Sequence, residues 1–215
     1  MYKENIRKRF WRLNELSKQG DSNAMYELSE IYLNAEDKSK YIDKDIAWFI
    51  RDDEIVKDID LAIYWLEQSC SPKAQYKLAE MYLYGKYIIK DTERAFDLFL
   101  ETAKYDHYPP SMHMIGVMYL NGYGTIKDYD KALYWLYKAI ERGDSDAMVT
   151  IAQMYLHGQK FKINGEKAVH WLKKAADLGN IEAMYQLCEI FRNGYYIDGK
   201  PNRINEWFVL LAERL

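Results

Sequence analysis

An all-α chain, built as a solenoid of stacked helix-turn-helix units, is predicted by three observations. Tyr82, Tyr119, Tyr155 and Phe191 follow one another at 37, 36 and 36 residues. A glycine stands three residues after each of them, at Gly85, Gly122, Gly158 and Gly194. A second run begins at Ala62, Ala95, Ala132 and Ala168 and carries a bulky residue three positions on: Trp65, Leu98, Trp135 and Trp171. Self-similarity at a period of about 20 to 50 residues marks a unit that cannot bury its apolar face alone and must stack on its neighbours.

The first helix of each unit starts at a small residue, Ala74, Ser111, Ala147 or Ala183. Four residues on stand Leu78, Ile115, Ile151 and Leu187, and seven on stand Met81, Met118, Met154 and Ile190. Spacings of four, seven and eight put these side chains and the aromatic on one stripe of an α-helix. The glycine then ends the helix, because it takes the left-handed conformation without steric cost. On this reading Tyr119 is a core residue, and its truncation to alanine would cost about 3–5 kcal/mol if the ring is fully buried.

The second helix is preceded by Asp58, Asp91, Asp128 or Asn164, each four residues before its alanine. A short polar side chain there accepts from exposed helix N–H groups, so these are caps and not catalytic acids. In the last copy Ile204 and Trp207 replace the alanine and tryptophan. The turns Gly20-Asp21-Ser22-Asn23, Gly143-Asp144-Ser145-Asp146 and Gly179-Asn180-Ile181-Glu182 join one unit to the next. Tyr108-Pro109-Pro110 replaces that turn once and should stiffen the junction.

These residues resemble the Sel-one-like repeat, a relative of the tetratricopeptide repeat. The resemblance is carried by Ala-x3-Leu-Ala-x2-Tyr-x2-Gly over residues 74–85, by the run from Asp128 to Ala139 and by Asn121-Gly122-Tyr123-Gly124. It spans nearly the whole chain and implies a right-handed α/α solenoid that acts as an adaptor between other proteins. One solenoid domain over 1–215 is expected: a capping half-repeat at 1–20, a first repeat at 21–72 with an insertion near 35–51, repeats at 73–108, 109–144 and 145–180, and a C-terminal repeat and cap at 181–215. Trp48 and Phe49 of the insertion either meet a partner or cover the edge of the first repeat.

Composition excludes several classes. A net charge of −3 argues against nucleic acid, which calls for a basic domain or stripe. No apolar run approaches the roughly 18 residues of a membrane span. Residues 1–13 carry Lys3, Glu4, Arg7, Lys8, Arg9 and Arg12 with no apolar stretch after them, unlike a secretory signal. Ile6, Phe10 and Leu13 share one face of that segment. A membrane surface is one use for such a face, but a terminal half-repeat needs it to seal the solenoid, so a cap is expected. Trp207, Val209, Leu210 and Leu211 are expected to close the other end.

Cys188 falls at the small packing position also held by Ser29, Ala79, Gly116 and Ala152, so it should be buried, while Cys70 lies near a turn. A reducing cytoplasm fits two such cysteines. His107, His113, His157 and His170 lack the spacing of a zinc motif, and Gly122-Tyr123-Gly124 lacks the rest of a phosphate loop. No metal or cofactor is expected. Catalysis would need a site assembled from distant repeats, so the chain is expected not to be an enzyme.

With the apolar stripe packed inward, positions two, six, nine and ten of each first helix face the inner curve that the tetratricopeptide likeness implies. The partner-binding candidates are Tyr26, Glu30 and Asn34; Tyr76, Glu80 and Tyr84; His113 and Asn121; Gln153 and His157; and Tyr185, Glu189, Arg192 and Asn193. Tyrosine offers large contact area at low conformational cost, and the carboxylates favour a basic partner segment. The expected function is a noncatalytic protein-binding scaffold. One concrete version is a bacterial immunity protein covering its cognate toxin; a signalling or assembly adaptor is the alternative.

Overall fold

Ten α-helices and no strand are found among the described residues of the computed structural model, which are 2–34, 57–105 and 107–192, with the side chains of 2–7 and 191 set aside. The insertion near 35–51, Ile6, Phe191, Asn193, Gly194, Ile204, Trp207, Val209, Leu210 and Leu211 fall outside what is described. The chain divides into two compact units, Met1–Thr102 and Ala103–Leu215. The first holds α1 (Tyr2–Lys18), α2 (Ser22–Asn34), α3 (Ile59–Gln68), α4 (Pro72–Tyr84) and α5 (Thr92–Lys104) up to Thr102. The second holds α6 (Pro109–Asn121), α7 (Tyr129–Glu141), α8 (Ser145–His157), α9 (Gly165–Asp177) and α10 (Ile181–Arg192).

Helix starts follow from the polar residues before them. Asp58 accepts from Leu61 N at 2.9 Å, Asp91 from Arg94 N at 2.9 Å, Asp128 from Asp130 N and Lys131 N at 3.0 Å, and Asn164 from Lys167 N at 2.9 Å. In the turns between repeats, Asp21, Asp144 and Asn180 accept in the same way from Ala24 N, Ala147 N and Ala183 N. Each satisfies one or two of the N–H groups that a helix start leaves without partners. Two helices do without: α4 and α6 begin on Pro72 and on Pro109-Pro110, after Ser71 and Tyr108, which make no side-chain cap. Proline brings no N–H to satisfy and a φ already suited to the first turn. Asn164→Ala should therefore cost about 1 kcal/mol, read as a lower urea midpoint; an unchanged midpoint would remove the cap from the account.

Helix ends follow from glycine. Gly85, Gly122 and Gly158 close α4, α6 and α8 in the left-handed region at φ 68°, 74° and 68°. Their N–H groups donate to Met81, Met118 and Met154 O, which also accept from Lys86, Tyr123 and Gln159 N in the turn that follows.

Burial follows the predicted stripe at positions four and seven: Leu78, Ile115, Ile151, Leu187, Met81, Met118 and Met154 are buried, and Ile190 is half-buried against the same layer. In the first unit, Leu13, Ala24 and Leu28 form a cluster against which Phe10, Leu16 and Trp65 pack. The described part of α1 thus lays Phe10 and Leu13 on the first repeat. Leu33, Ala62, Leu66, Ala74, Leu78 and Met81 form the next layer. In the second unit, α8, α9 and α10 interdigitate through Ala152, Ala168, Leu172, Ala175, Met184 and Leu187.

The recurring tyrosines are not core residues in the sense expected. Tyr82, Tyr119 and Tyr155 are only half-buried. Each is a clasp between the two helices of its repeat. Its carbonyl accepts from the cap residue of the second helix, Asp91, Asp128 or Asn164. A cation from the first turn of that helix lies over its ring: Arg94 at 5.4 Å, Lys131 at 5.5 Å and Lys167 at 5.4 Å. An eight-residue spacing sets the angle of a side chain around the helix but not its depth, and at the helix end the ring reaches the rim of the core. Tyr119→Ala should accordingly cost about 1–2 kcal/mol, from partial burial and a partly exposed cation–π contact. A loss as large as that of a full core truncation would restore the deeper placement.

Candidate protein-interaction face

In the first unit, Tyr26, Glu30 and Asn34 stand four apart on α2, and Tyr76, Glu80 and Tyr84 do so on α4. Such spacing puts each trio on one face of its helix. Exposure rises along both helices, from half-buried Tyr26 and Tyr76 to exposed Asn34 and a Tyr84 that is 66% exposed. The Tyr76 ring meets the buried Phe99 edge-on at 5.3 Å. Asn34 Nδ2 donates to Glu30 O at 2.9 Å and to Glu30 Oε2 at 3.3 Å.

The outer ends of these helices frame a pocket of about 220 Å³, with Leu33, Asn34, Glu80, Tyr84, Lys86 and Tyr87 on its walls. Lys77, also on its wall, holds Nζ at 3.3 Å from Glu30 Oε1, yet this buried oxygen accepts no hydrogen bond among the described residues. Burial pushes the Glu80 carboxyl above its ordinary range, and the Glu30 charge adds to that; Lys77, a hydrogen bond from Tyr76 and Lys86 act against it. The pocket wall therefore carries the half-buried Glu80 carboxylate beside the exposed Tyr84, and Glu30, paired with Lys77, lies near enough to raise the Glu80 pKa.

In the second unit the same helix positions behave differently. His113 on α6 is enclosed: its Nε2 lies 2.8 Å from Thr150 Oγ1 on α8. With the Thr150 hydroxyl donating to Asp146 O at 3.1 Å, its oxygen accepts from His113 Nε2 in the tautomer that protonates that nitrogen. Burial holds the imidazole below its ordinary value of 6.5, against the raising influence of Asp144 and Asp146. Asn121 Nδ2 turns back to Val117 O at 2.9 Å. Gln153 is half-buried and His157 exposed, Tyr185 is exposed, and Glu189 is paired with exposed Arg192 at 2.7 Å.

A histidine whose folded pKa is depressed contributes its stability in the neutral form. That contribution is complete above pH 6.5 and is lost as the pH falls through the depressed value. The chain should therefore lose more melting temperature between about pH 7 and pH 5 than His113→Gln does; parallel curves would show that His113 is not buried neutral.

Of the expected residues, Asn34, Glu80 and Tyr84 thus meet at one pocket in the first unit, whereas in the second His113 is enclosed and Asn121, His157, Tyr185 and Arg192 are exposed. His113 serves helix packing, and Val149, at the equivalent place in α8, is buried. Lys77, Lys86 and Tyr87 were missed. Helical spacing marks helix positions alone, and Lys86 and Tyr87 lie in the turn after Gly85. The signal was present in the sequence: an aromatic follows the stopping glycine both at Gly85-Lys86-Tyr87 and at Gly122-Tyr123. Tyr87 holds φ 73° with Lys57 and Lys86 each 5.2 Å from its ring centre.

Among the described residues no group of three or more His, Cys, Asp or Glu side chains is placed to hold a metal ion. No described helix is long and apolar enough to cross a membrane. Cys188 is buried, Cys70 is exposed, and both are free.

The chain is similar in fold to a Sel1 repeat protein from Oxalobacter formigenes, with a TM-score of 0.73 at 22% identity over 96% of this chain and 78% of the other. It is also similar to two immunity proteins from Pseudomonas aeruginosa. One gives a TM-score of 0.56 at 14% identity, covering 94% of this chain and 71% of that one. The other gives 0.55 at 18% identity, covering 90% and 65%. At these identities the likeness is one of fold, the α/α solenoid. No curated protein matches the chain. The family model of the Sel1 repeat matches residues 22–49, 51–71, 72–104, 109–144, 145–180 and 181–208, and the chain belongs to the Sel1 repeat family.

Proposed function

We propose that this Sel1 repeat chain is a noncatalytic scaffold that binds another protein, taking a basic side chain of the partner into the pocket between α2 and α4. The observation that carries this reading is Glu80, a half-buried carboxylate on the pocket wall beside the exposed Tyr84. Burial, and after it the nearby Glu30 charge, raise the Glu80 pKa, while Glu30 itself is held by Lys77. An arriving guanidinium or ammonium would pair with Glu80 and favour its charged form, while Tyr84 supplies contact area. Tyr26, Asn34 and Tyr76 extend this face in the first unit. Asn121, Gln153, His157, Tyr185, Glu189, Arg192 and Asn193 are its proposed counterparts in the second.

In its concrete form the partner is a toxin and the chain its immunity protein in the cytoplasm. The fold likeness to two immunity proteins supports that version. A neighbouring toxin gene and a tight one-to-one complex on co-purification would bear it out, whereas recovery of several assembly partners would point to an adaptor. Glu80→Lys tests the pocket itself. It should leave the melting curve nearly unchanged, weaken the partner by about tenfold or more and flatten the salt dependence of binding. Equal affinity of parent and variant across salt would sink the pocket.

A further inference from the structure

The loops that join the two helices of a repeat carry an isoleucine and a lysine, in either order, immediately before the cap: Ile89-Lys90-Asp91, Ile126-Lys127-Asp128 and Lys162-Ile163-Asn164. The three isoleucines are 91%, 86% and 71% exposed. The loop of the third repeat is already fixed by left-handed Gly122, by Asp128 N donating to Tyr119 O at 2.9 Å and by the Asp128 cap. A single exposed apolar residue is ordinary, but the same one on every described loop of this kind calls for a use.

Within the second unit two of these tips stand together. Lys160, in the loop after α8, pairs with Asp130 in the first turn of α7 at 2.8 Å, which brings the loop bearing Ile163 beside the loop bearing Ile126. Tyr123, half exposed, lies in the latter loop. The charge around the tips is basic: Lys127, Lys131, Lys160, Lys162 and Lys167 against Asp128, Asp130 and Glu166. Asp128 pairs with Lys131 and Asp130 with Lys160, which leaves Lys127, Lys162 and Lys167 against Glu166.

We infer that this loop edge of the second unit is a peripheral docking surface for an anionic lipid membrane. Isoleucine tips that project from loops suit insertion into a soft apolar medium, lysines beside them suit lipid phosphates and carboxylates, and tyrosine favours the boundary between the two. The surface lies at the C-terminal ends of α6 and α8 and uses none of the pocket residues of the first unit.

The test is co-sedimentation of the full chain with vesicles of phosphatidylcholine alone or mixed with phosphatidylserine. Binding is expected on the mixed vesicles only and should fall as salt rises. Ile126→Ser with Ile163→Ser, and separately Lys127→Glu with Lys162→Glu, should each weaken it by about tenfold or more while melting like the parent. Glu80→Lys should bind vesicles no less tightly than the parent. Three outcomes would overturn the inference: no binding to the mixed vesicles, loop variants that bind as the parent does, or loss in those variants of an acidic protein partner with no vesicle binding at all. The last would make the edge a protein surface.

Discussion

Phe99→Ala should destabilise the first unit by about 3–5 kcal/mol, because truncating a buried phenylalanine removes both its transfer free energy and its contacts with neighbours that relax only in part. Phe99 is wholly enclosed. It follows Leu98, which stands where the other repeats place tryptophan, so this helix gets its large buried ring one position later. Leu98 itself is only partly buried and packs against the layer formed by Leu66, Leu78 and Met81. The edge-on contact with Tyr76 at 5.3 Å is lost in the same substitution. A ring pair of this kind adds about 0.5–1.5 kcal/mol beyond area. Urea unfolding followed by circular dichroism gives the measurement. A loss no larger than that of Tyr119→Ala would mean that α5 is not docked through Phe99, and the register assigned to this repeat would fall with it.

The contrast between these aromatic positions shows what the sequence could disclose. Period, helix stops and helix starts were all legible, because each depends on a local requirement repeated several times: a glycine where φ is positive, a short acceptor before the first turn, an apolar stripe at spacings of four and seven. Depth was not. Helical spacing fixes the direction of a side chain and is silent about how close the neighbouring helix comes at that height. For that reason Tyr119 was expected in the core and sits at its rim, and His113 was expected on an open face and is spent on Thr150. The candidate pocket was half legible. Glu80 and Tyr84 follow from the stripe, whereas Lys86 and Tyr87 enter it from a turn whose path only the fold determines. The segment near 35–51 has no counterpart in the other repeats, so alignment within the chain gives it no register.

Gly116→Val should lower stability by about 3 kcal/mol or more, the upper part of the range for overpacking a filled core. Glycine inside a helix costs about 1 kcal/mol relative to alanine, so its presence in α6 needs a packing reason. The reason is α7. A Cβ on Gly116 would lie 2.7 Å from Leu136 Cγ, 2.8 Å from Leu136 Cδ2 and 3.3 Å from Ala132 O. Ala132 and Leu136 are themselves wholly buried, which leaves little room to give way. The corresponding positions hold Ser29, Ala79, Ala152 and Cys188, all small and all buried. In Gly116→Ala the gain in helix propensity opposes the displacement of Leu136, and the two should nearly cancel or leave a loss of about 1 kcal/mol. Valine adds two methyl groups with a restricted rotamer and has no such compensation. Combining Gly116→Val with Leu136→Ala should recover part of the loss, giving an interaction energy of about 1 kcal/mol or more in a double-mutant cycle. If the single valine variant melts like the parent, or if the two losses simply add, α6 and α7 do not approach through Gly116 and the small-residue contact is not what sets their spacing.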